Sequence, residues 1–416
     1  MLQWSYHHIH SKGVLLMKAV CSECHTGVEQ ALSYSCPLCG GVWLLDYAKP
    51  QGSWMDPTEN GIWKFHQLLP EVQKENRLYA GEGMTPLIKS VAMAKRLGLK
   101  ELYFKYEGGN PTGSYKDRIA AMGISWALDN GRQACIGTSS GNAGAAVAAY
   151  AARAGIPYHL YALEHMAEAK LEQMLAYNAQ VRKVAGFGVS PEVGERVFSH
   201  IFAAAQRKDW EVMITAFRYN PYAMEGVKTI AFELADQMAA IPSHVYAPAG
   251  GAGLYLGIWK GFTELFRFRY TSGKPQMVAV QSSGCSNIAR AYAFGQSVPA
   301  PGESTSLISG LQVPNPPDGK AALSVMAAGD GSAMSVEDEG IWEAQRMLAA
   351  EEGIFCEPAG AASVAGLIQA CARGEQPHGN SVVCIISGVG FKDGARLSAM
   401  VSNKAVPILQ AENLDI

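Results

Sequence analysis

The segment Asn110-Pro111-Thr112-Gly113-Ser114-Tyr115-Lys116-Asp117-Arg118 follows a short apolar run, Glu101–Glu107 (ELYFKYE), and opens a helical pattern over Ser114–Asn130 that stops at Gly131. Asn-Pro and Gly supply the turn, and the aromatic run before it has the composition of a strand. The same strand-then-helix unit recurs outward from here. Ala134–Thr138 is strand-like, and Ala143–Ala154 is an alanine-rich helix ended by Gly155. Tyr158–Leu163, Val181–Ala185, Glu211–Thr215, Val245–Ala249, Met277–Gln281 and Val382–Ile386 are further short apolar runs, mostly separated by helical patterns. This alternation predicts an α/β protein with parallel sheets flanked by helices. The proline- and glycine-rich stretch Val298–Gly319 is expected to be a long surface loop near a site.

Composition narrows the class. The chain has 416 residues, of which 48% are hydrophobic and 17% charged, and 34 basic against 37 acidic groups give a formal charge of −3. At ~150 residues per domain this is a chain of two to three domains. Its apolar content excludes a disordered tail protein. The balanced charge, with no basic run, offers nothing to displace phosphate counterions, so a nucleic-acid partner is not expected. No apolar stretch approaches the ~20 residues that cross a bilayer, and the first residues lack a signal-peptide layout. A cytoplasmic protein without a membrane partner is the expectation. Met1–Leu16 carries no evident pattern, and Met17 offers a second start.

Nine cysteines form two populations. Cys135, Cys285, Cys356, Cys371 and Cys384 are scattered singly, which is not a disulfide framework. Cys21, Cys24, Cys36 and Cys39 form two C-x-x-C pairs with eleven residues between them, the second followed by Gly40 and Gly41. Such knuckles place four thiolates tetrahedrally around Zn²⁺, leaving no position for a substrate, so zinc here would be structural. Four unligated thiols on two turns is the alternative.

Three strand-to-helix junctions carry chemistry, because ligands collect where parallel strands end and helix amides are exposed. The first displays Lys116. A lysine shielded from water near a positive helix end gives up its proton more readily, freeing the amine for covalent chemistry; a solvated lysine on a helix flank is equally consistent with the pattern. The second is Thr138-Ser139-Ser140-Gly141-Asn142-Ala143-Gly144, whose small residues admit a ligand to the backbone, although one serine alone would be an ordinary helix cap. The third is Ala249-Gly250-Gly251-Ala252-Gly253-Leu254, a loop that can cradle phosphate through main-chain N–H groups.

These strings, with Gly81-Glu82-Gly83-Met84-Thr85-Pro86-Leu87, Asn220-Pro221-Tyr222, Glu225-Gly226, Glu357-Pro358-Ala359 and Ser387-Gly388-Val389-Gly390-Phe391-Lys392-Asp393, resemble threonine synthase. More broadly they are similar to the tryptophan-synthase-β group of pyridoxal-phosphate enzymes, fold type II. The resemblance runs in order from Cys21 to about residue 400 and includes the cysteine knuckle. It implies two three-layer α/β/α domains with mostly parallel sheets and a zinc-ribbon-like knuckle. The divisions expected are 17–47 for the knuckle, 48–132 with 221–416 for a large cofactor-binding domain, and 133–220 for a small domain that closes over substrate. A homodimer acting on a small amino acid is implied as well.

Residue by residue, the resemblance makes Lys116 the Schiff-base lysine and proton shuttle. Asn142 would bond the cofactor's 3′-oxygen, and the amides of Gly250, Gly251, Ala252, Gly253 and Leu254 would bind its phosphate. Ser387 would face the pyridine nitrogen. Ser139, Ser140 and Gly141, with Ala143 beside them, would meet the substrate carboxylate. One departure concerns the leaving group: the family reads substrate phosphate partly with an arginine in N-P-x-R-x-E-G, where this chain has Ala223, and with an earlier asparagine, where it has Phe217. A buried phosphate dianion without a cationic fork is costly, and Arg218 is the neighbouring substitute. Threonine synthase activity on O-phosphohomoserine is therefore weighed against a relative that eliminates or replaces at the β carbon, such as a serine or threonine deaminase, a diaminopropionate lyase or a cysteate-synthase-like enzyme. A noncatalytic regulator that kept the fold is a third reading, against which Lys116, Asn142 and Ser387 argue.

Overall fold

Runs of apolar residues without alternation belong in strands covered on both faces, and they occur here as expected. A computed structural model describes residues 17–410 apart from 32–33, 140, 165, 167, 189, 376 and 378–380. In chain order the strands are β1 (Met17–Cys21), β2 (Gly27–Val28), β3 (Trp43–Tyr47), β4 (Leu87–Lys89), β5 (Leu102–Tyr106), β6 (Cys135–Ser139), β7 (Tyr158–Leu163), β8 (Gln180–Val184), β9 (Glu211–Val212), β10 (His244–Pro248), β11 (Gln276–Ser282), β12 (Gly331–Val336) and β13 (Val382–Ile386). The helices are α1 (Met93–Arg96), α2 (Lys116–Asp129), α3 (Asn142–Ala154), α4 (Glu168–Ala176), α5 (Pro191–Lys208), α6 (Pro221–Gln237), α7 (Gly253–Arg267), α8 (Asn287–Ala293), α9 (Gly319–Ala327), α10 (Asp338–Glu351), α11 (Pro358–Ala372) and α12 (Gly394–Val401).

Three sheets result, ordered β2-β1-β3, β12-β11-β10-β13-β5-β4 and β8-β7-β6-β9. The first is an antiparallel ribbon. The second is parallel except for the edge pair β4–β5, and the third is parallel throughout. The mixed α/β frame with parallel sheets is thus as the sequence implied. In the large sheet, alternate residues feed two cores. Val245, Ala247, Val383 and Ile385 face the core shared with α2, α6 and α7, whereas Tyr246, Val382, Cys384 and Ile386 face the one shared with α10 and α11. In the small sheet Leu160 and Ala162 pack into the first core, while Ile136 and Val212 pack with Ile201 of α5.

Two differences from expectation have physical causes. Strand β12 (GSAMSV) carries small and polar residues and is only partly buried at an edge, so it gives no apolar run. The 298–319 stretch is not purely a surface loop: Ile308 and Leu311 are buried in the α10–α11 core, and Ser306 and Asp318 are buried as well. Gly155 ends α3 at φ 70°, a backbone that an L side chain adopts only with strain.

A buried charge network anchors the first turn of α2. Arg118 is fully buried; its guanidinium pairs with Glu107 at 2.7 Å and Glu233 at 2.5 Å. Lys105 Nζ donates to Glu233 at 2.6 Å and to the Thr85 carbonyl at 2.8 Å. Burial raises the Glu233 carboxyl, but Arg118 and Lys105 more than offset this and hold it at about 2. Glu225, by contrast, is buried with Lys228 and Lys260 against Tyr47 of the ribbon. The network around Arg118 fixes the helix that begins with Lys116.

Candidate active site

The carboxyl ends of β5, β6, β9, β10 and β13 converge on one cleft. Lys116 stands at the start of α2, its turn stitched to the residues after β13: Tyr115 N donates to the Ser387 carbonyl at 3.1 Å, and Val389 N to the Gly113 carbonyl at 2.9 Å. Lys116 Nζ donates to Thr215 Oγ1 at 2.7 Å, just past β9. The amine therefore faces a neutral hydroxyl across the two-sheet cleft.

Asn142 opens α3. Its Nδ2 donates to Glu357 Oε1 at 2.8 Å, while its Oδ1 is buried without a hydrogen-bond partner among the described residues. Burial pushes the Glu357 carboxyl up, an effect that Lys170 and Asn142 oppose. Ser139 Oγ accepts from Gly141 N at 3.1 Å and Gly144 N at 2.8 Å, so this hydroxyl caps α3. Gly141 is buried and Ala143 half-buried beside it; Ser140 lies outside the described residues. Ser387 is buried at the end of β13.

The glycine loop runs from the end of β10 into α7. Ala252 takes a left-handed φ of 72° and no side chain caps the helix, leaving its first amides directed outward. A Cβ on Gly250 would come within 2.6 Å of the Gly310 carbonyl, so the 298–319 segment roofs this loop tightly. Gly251 accepts from Asp318 N at 3.2 Å, and Leu254 is buried in the helix's first turn.

Asp318 is a site residue that sequence patterns do not reveal. Its carboxylate accepts from Phe217 N at 3.0 Å and Arg218 N at 2.9 Å, fixing the segment that carries Thr215. Burial pushes its carboxyl up to about 7, against these N–H groups and the charges of Lys116 and Arg218. The partners of Thr215 and Glu357 are likewise visible only in the tertiary structure, because Lys116 and Asn142 lie 99 and 215 positions away. Ala223 faces the seam between α2 and α6, where a Cβ on Gly123 would approach it to 2.7 Å, and supplies no cation.

A covalent-capable lysine, an amide-lined loop and a buried serine at the ends of parallel strands define an enzyme that works through a phosphorylated aldehyde cofactor. The family described as Pyridoxal-phosphate dependent enzyme matches residues 78–388. Threonine synthase of Methanosarcina acetivorans is 36% identical over 386 residues, covering 90% of this chain and 91% of that protein. Threonine synthase of Halalkalibacterium halodurans is 36% identical over 346 residues, 82% of this chain and 92% of that protein. The structure of maize serine racemase superposes with a TM-score of 0.64 at 23% identity, covering 77% of this chain and 93% of that one, and shows the shared fold. The chain belongs to the pyridoxal-phosphate-dependent enzymes, within the threonine synthase family.

The residues present fit that cofactor. Asn142 has an orphaned buried amide oxygen, and the glycine loop opens α7 with no side chain capping the helix amides. In the ribbon, the four cysteine sulfurs all lie within 4.8 Å of one another. No helix among the described residues is long and apolar enough to cross a membrane.

Proposed function

We propose that the enzyme converts O-phosphohomoserine to threonine and phosphate, by γ-elimination of phosphate and addition of water at the β carbon. The observation that carries this is the 36% identity to a threonine synthase over 90% of the chain, combined with a lysine in the cleft where that chemistry needs an amine.

Bound pyridoxal phosphate supplies an electron sink for charge developing on the substrate carbons. Gly250, Gly251, Ala252, Gly253 and Leu254 would hold its phosphate through main-chain amides, Asn142 its 3′-oxygen, and Ser387 its ring nitrogen. A hydroxyl is too weak an acid to keep that nitrogen protonated, which favours elimination and replacement over transamination. Lys116 takes the proton from the substrate α carbon at Nζ and delivers protons further along the chain; Thr215 holds the amine in position for this. The α3 loop at Ser139, Ser140, Gly141 and Ala143 would seat the substrate carboxylate, and closure of the small domain excludes water. Arg218 would meet the leaving phosphate, supported by its charge acting on the same Asp318 carboxyl as Lys116.

The division into 17–47, 48–132 with 221–416, and 133–220 fits this scheme: the small parallel sheet is confined to the last of these. We also place structural Zn²⁺ at Cys21, Cys24, Cys36 and Cys39. The Cys21–Cys39 and Cys24–Cys36 sulfur separations of 3.4 and 3.6 Å are near the ~3.8 Å edge of a tetrahedron with ~2.3 Å Zn–S bonds. A cytoplasmic homodimer completes the proposal.

The absence of a cation at Ala223 favours a second reading, β-elimination from another amino acid. One assay separates them: phosphate release from O-phosphohomoserine beside 2-oxoacid and ammonia release from serine, threonine and diaminopropionate. Phosphate release is expected to dominate; ammonia release alone would replace the first reading with the second.

A further inference from the structure

Helix α4 belongs to the small-sheet region, yet one of its faces reaches across the cleft. Lys170 is only 3% exposed, and its Nζ donates to Ser309 Oγ at 2.7 Å in the segment roofing the glycine loop. Three positions on, along the same face, Gln173 Oε1 accepts from Lys392 Nζ at 2.7 Å, just after Ser387. Both contacts tie α4 to segments that line the cofactor side.

The same lysine backs the α3 loop. A Cβ built on Gly141 would lie 3.0 Å from Lys170 Cδ and 3.2 Å from its Nζ. Lys170 forms no ion pair among the described residues; its direct partner is a neutral hydroxyl. The carboxyl it acts on, Glu357, is bonded to Asn142 rather than to Lys170; burial pushes that carboxyl up and the Lys170 charge opposes the shift. A buried ammonium with no carboxylate bonded to it is costly, and an anion arriving beside it lowers the cost. The opening amides of α3 add the right partial charge for the same anion. The Ser139 hydroxyl accepts from Gly141 and Gly144, which fixes the turn while leaving its own proton to donate to the same anion.

We infer that Lys170, steadied by Ser309 behind Gly141, is a specificity-determining residue that makes the enzyme prefer substrates bearing a carboxylate at the first turn of α3. The inference rests on the proposed function for the substrate being an α-amino acid, and it adds which cation reads the acid group.

The test uses the full chain loaded with cofactor and compares L-serine with ethanolamine, its counterpart lacking the carboxylate, by titration calorimetry and the shift of the visible band. Lys170→Met is expected to weaken L-serine binding about ten- to hundredfold, the value of a hydrogen bond to a charged group, with ethanolamine affinity unchanged. Lys170→Arg restores most of the L-serine affinity. Ser309→Ala, a milder change that keeps the ammonium, shifts L-serine binding in the same direction by less and covers the case of a misfolded Lys170→Met. Unchanged L-serine affinity in the variants, or equal losses for both ligands, overturns the assignment. Because neither ligand carries phosphate, failure of the wild type to release phosphate from O-phosphohomoserine would remove the proposed reaction and leave this comparison intact.

Discussion

The cysteine ribbon and the lysine cleft are assembled by opposite routes. In the ribbon, the paired sulfurs of Cys21 and Cys39 are 18 positions apart, on one antiparallel hairpin and its flanking turns. In the cleft, Lys116 meets Thr215 over 99 positions, Lys170 meets Ser309 over 139, and Asn142 meets Glu357 over 215. A local site can loosen without consequence for the rest, whereas the cleft exists only when two sheets and their connecting loops are all in place. The comparison predicts that damage to the cleft is large and damage to the ribbon is small at the chemistry.

The largest effect is expected from Lys116→Ala. Activity should fall by roughly 10³-fold or more and the visible band of the loaded enzyme should vanish, while the protease resistance of residues 17–47 stays the same. A variant that keeps both activity and the band would remove the amine from the mechanism.

Next in size is Arg118→Ala, which removes the guanidinium from the buried Glu107 carboxylate and leaves Glu233 with Lys105 alone. Stability measured by urea unfolding should drop by about 3–5 kcal/mol. A loss of less than about 1 kcal/mol, the scale of an exposed pair, would mean that the network does not hold the cleft together.

A smaller effect concerns pH. Glu82 lies at the base of α3, accepting from Tyr150 OH at 2.5 Å, and burial raises its carboxyl from 4.5 to about 7. The unfolded chain releases this proton first. Glu82 therefore costs nothing below pH ~4.5 and costs progressively more up to pH ~7, levelling at on the order of 3 kcal/mol. Glu82→Gln should be near neutral at pH 4.5 and stabilising relative to wild type at pH 8. A difference between the two proteins that does not vary with pH would contradict the buried carboxyl.

The smallest effect at the cleft is expected from chelation. Chelating the zinc proposed for the four cysteines should expose residues 17–47 to protease while leaving the visible band in place. Loss of the band on chelation would show that the ribbon is coupled to the chemistry, through contacts such as the Ala31 N–H to Tyr222 OH bond of 3.1 Å.

Much of this molecule could be anticipated where residues act through neighbours in the chain. The cysteine spacing, the turn that launches Lys116 and the glycine loop after β10 are local patterns, and so are the apolar runs that became β5, β7, β10, β11 and β13. Strand β12 escaped because an edge position with small residues needs no apolar run. The 298–319 segment is misleading for a related reason: its prolines and glycines suggest a surface loop, while Ile308 and Leu311 pin its middle into a core.

Sequence by itself determined the class of fold and the turn that presents Lys116, because strand periodicity and turn chemistry are properties of adjacent residues. Only the tertiary structure decided what that amine meets. Thr215, Asp318, Glu357 and Lys170 owe their roles to burial and to partners supplied by distant strands and loops. Whether a buried carboxyl or ammonium is paired, neutralised or left awaiting a ligand is set by the folded surroundings rather than by its neighbours along the chain.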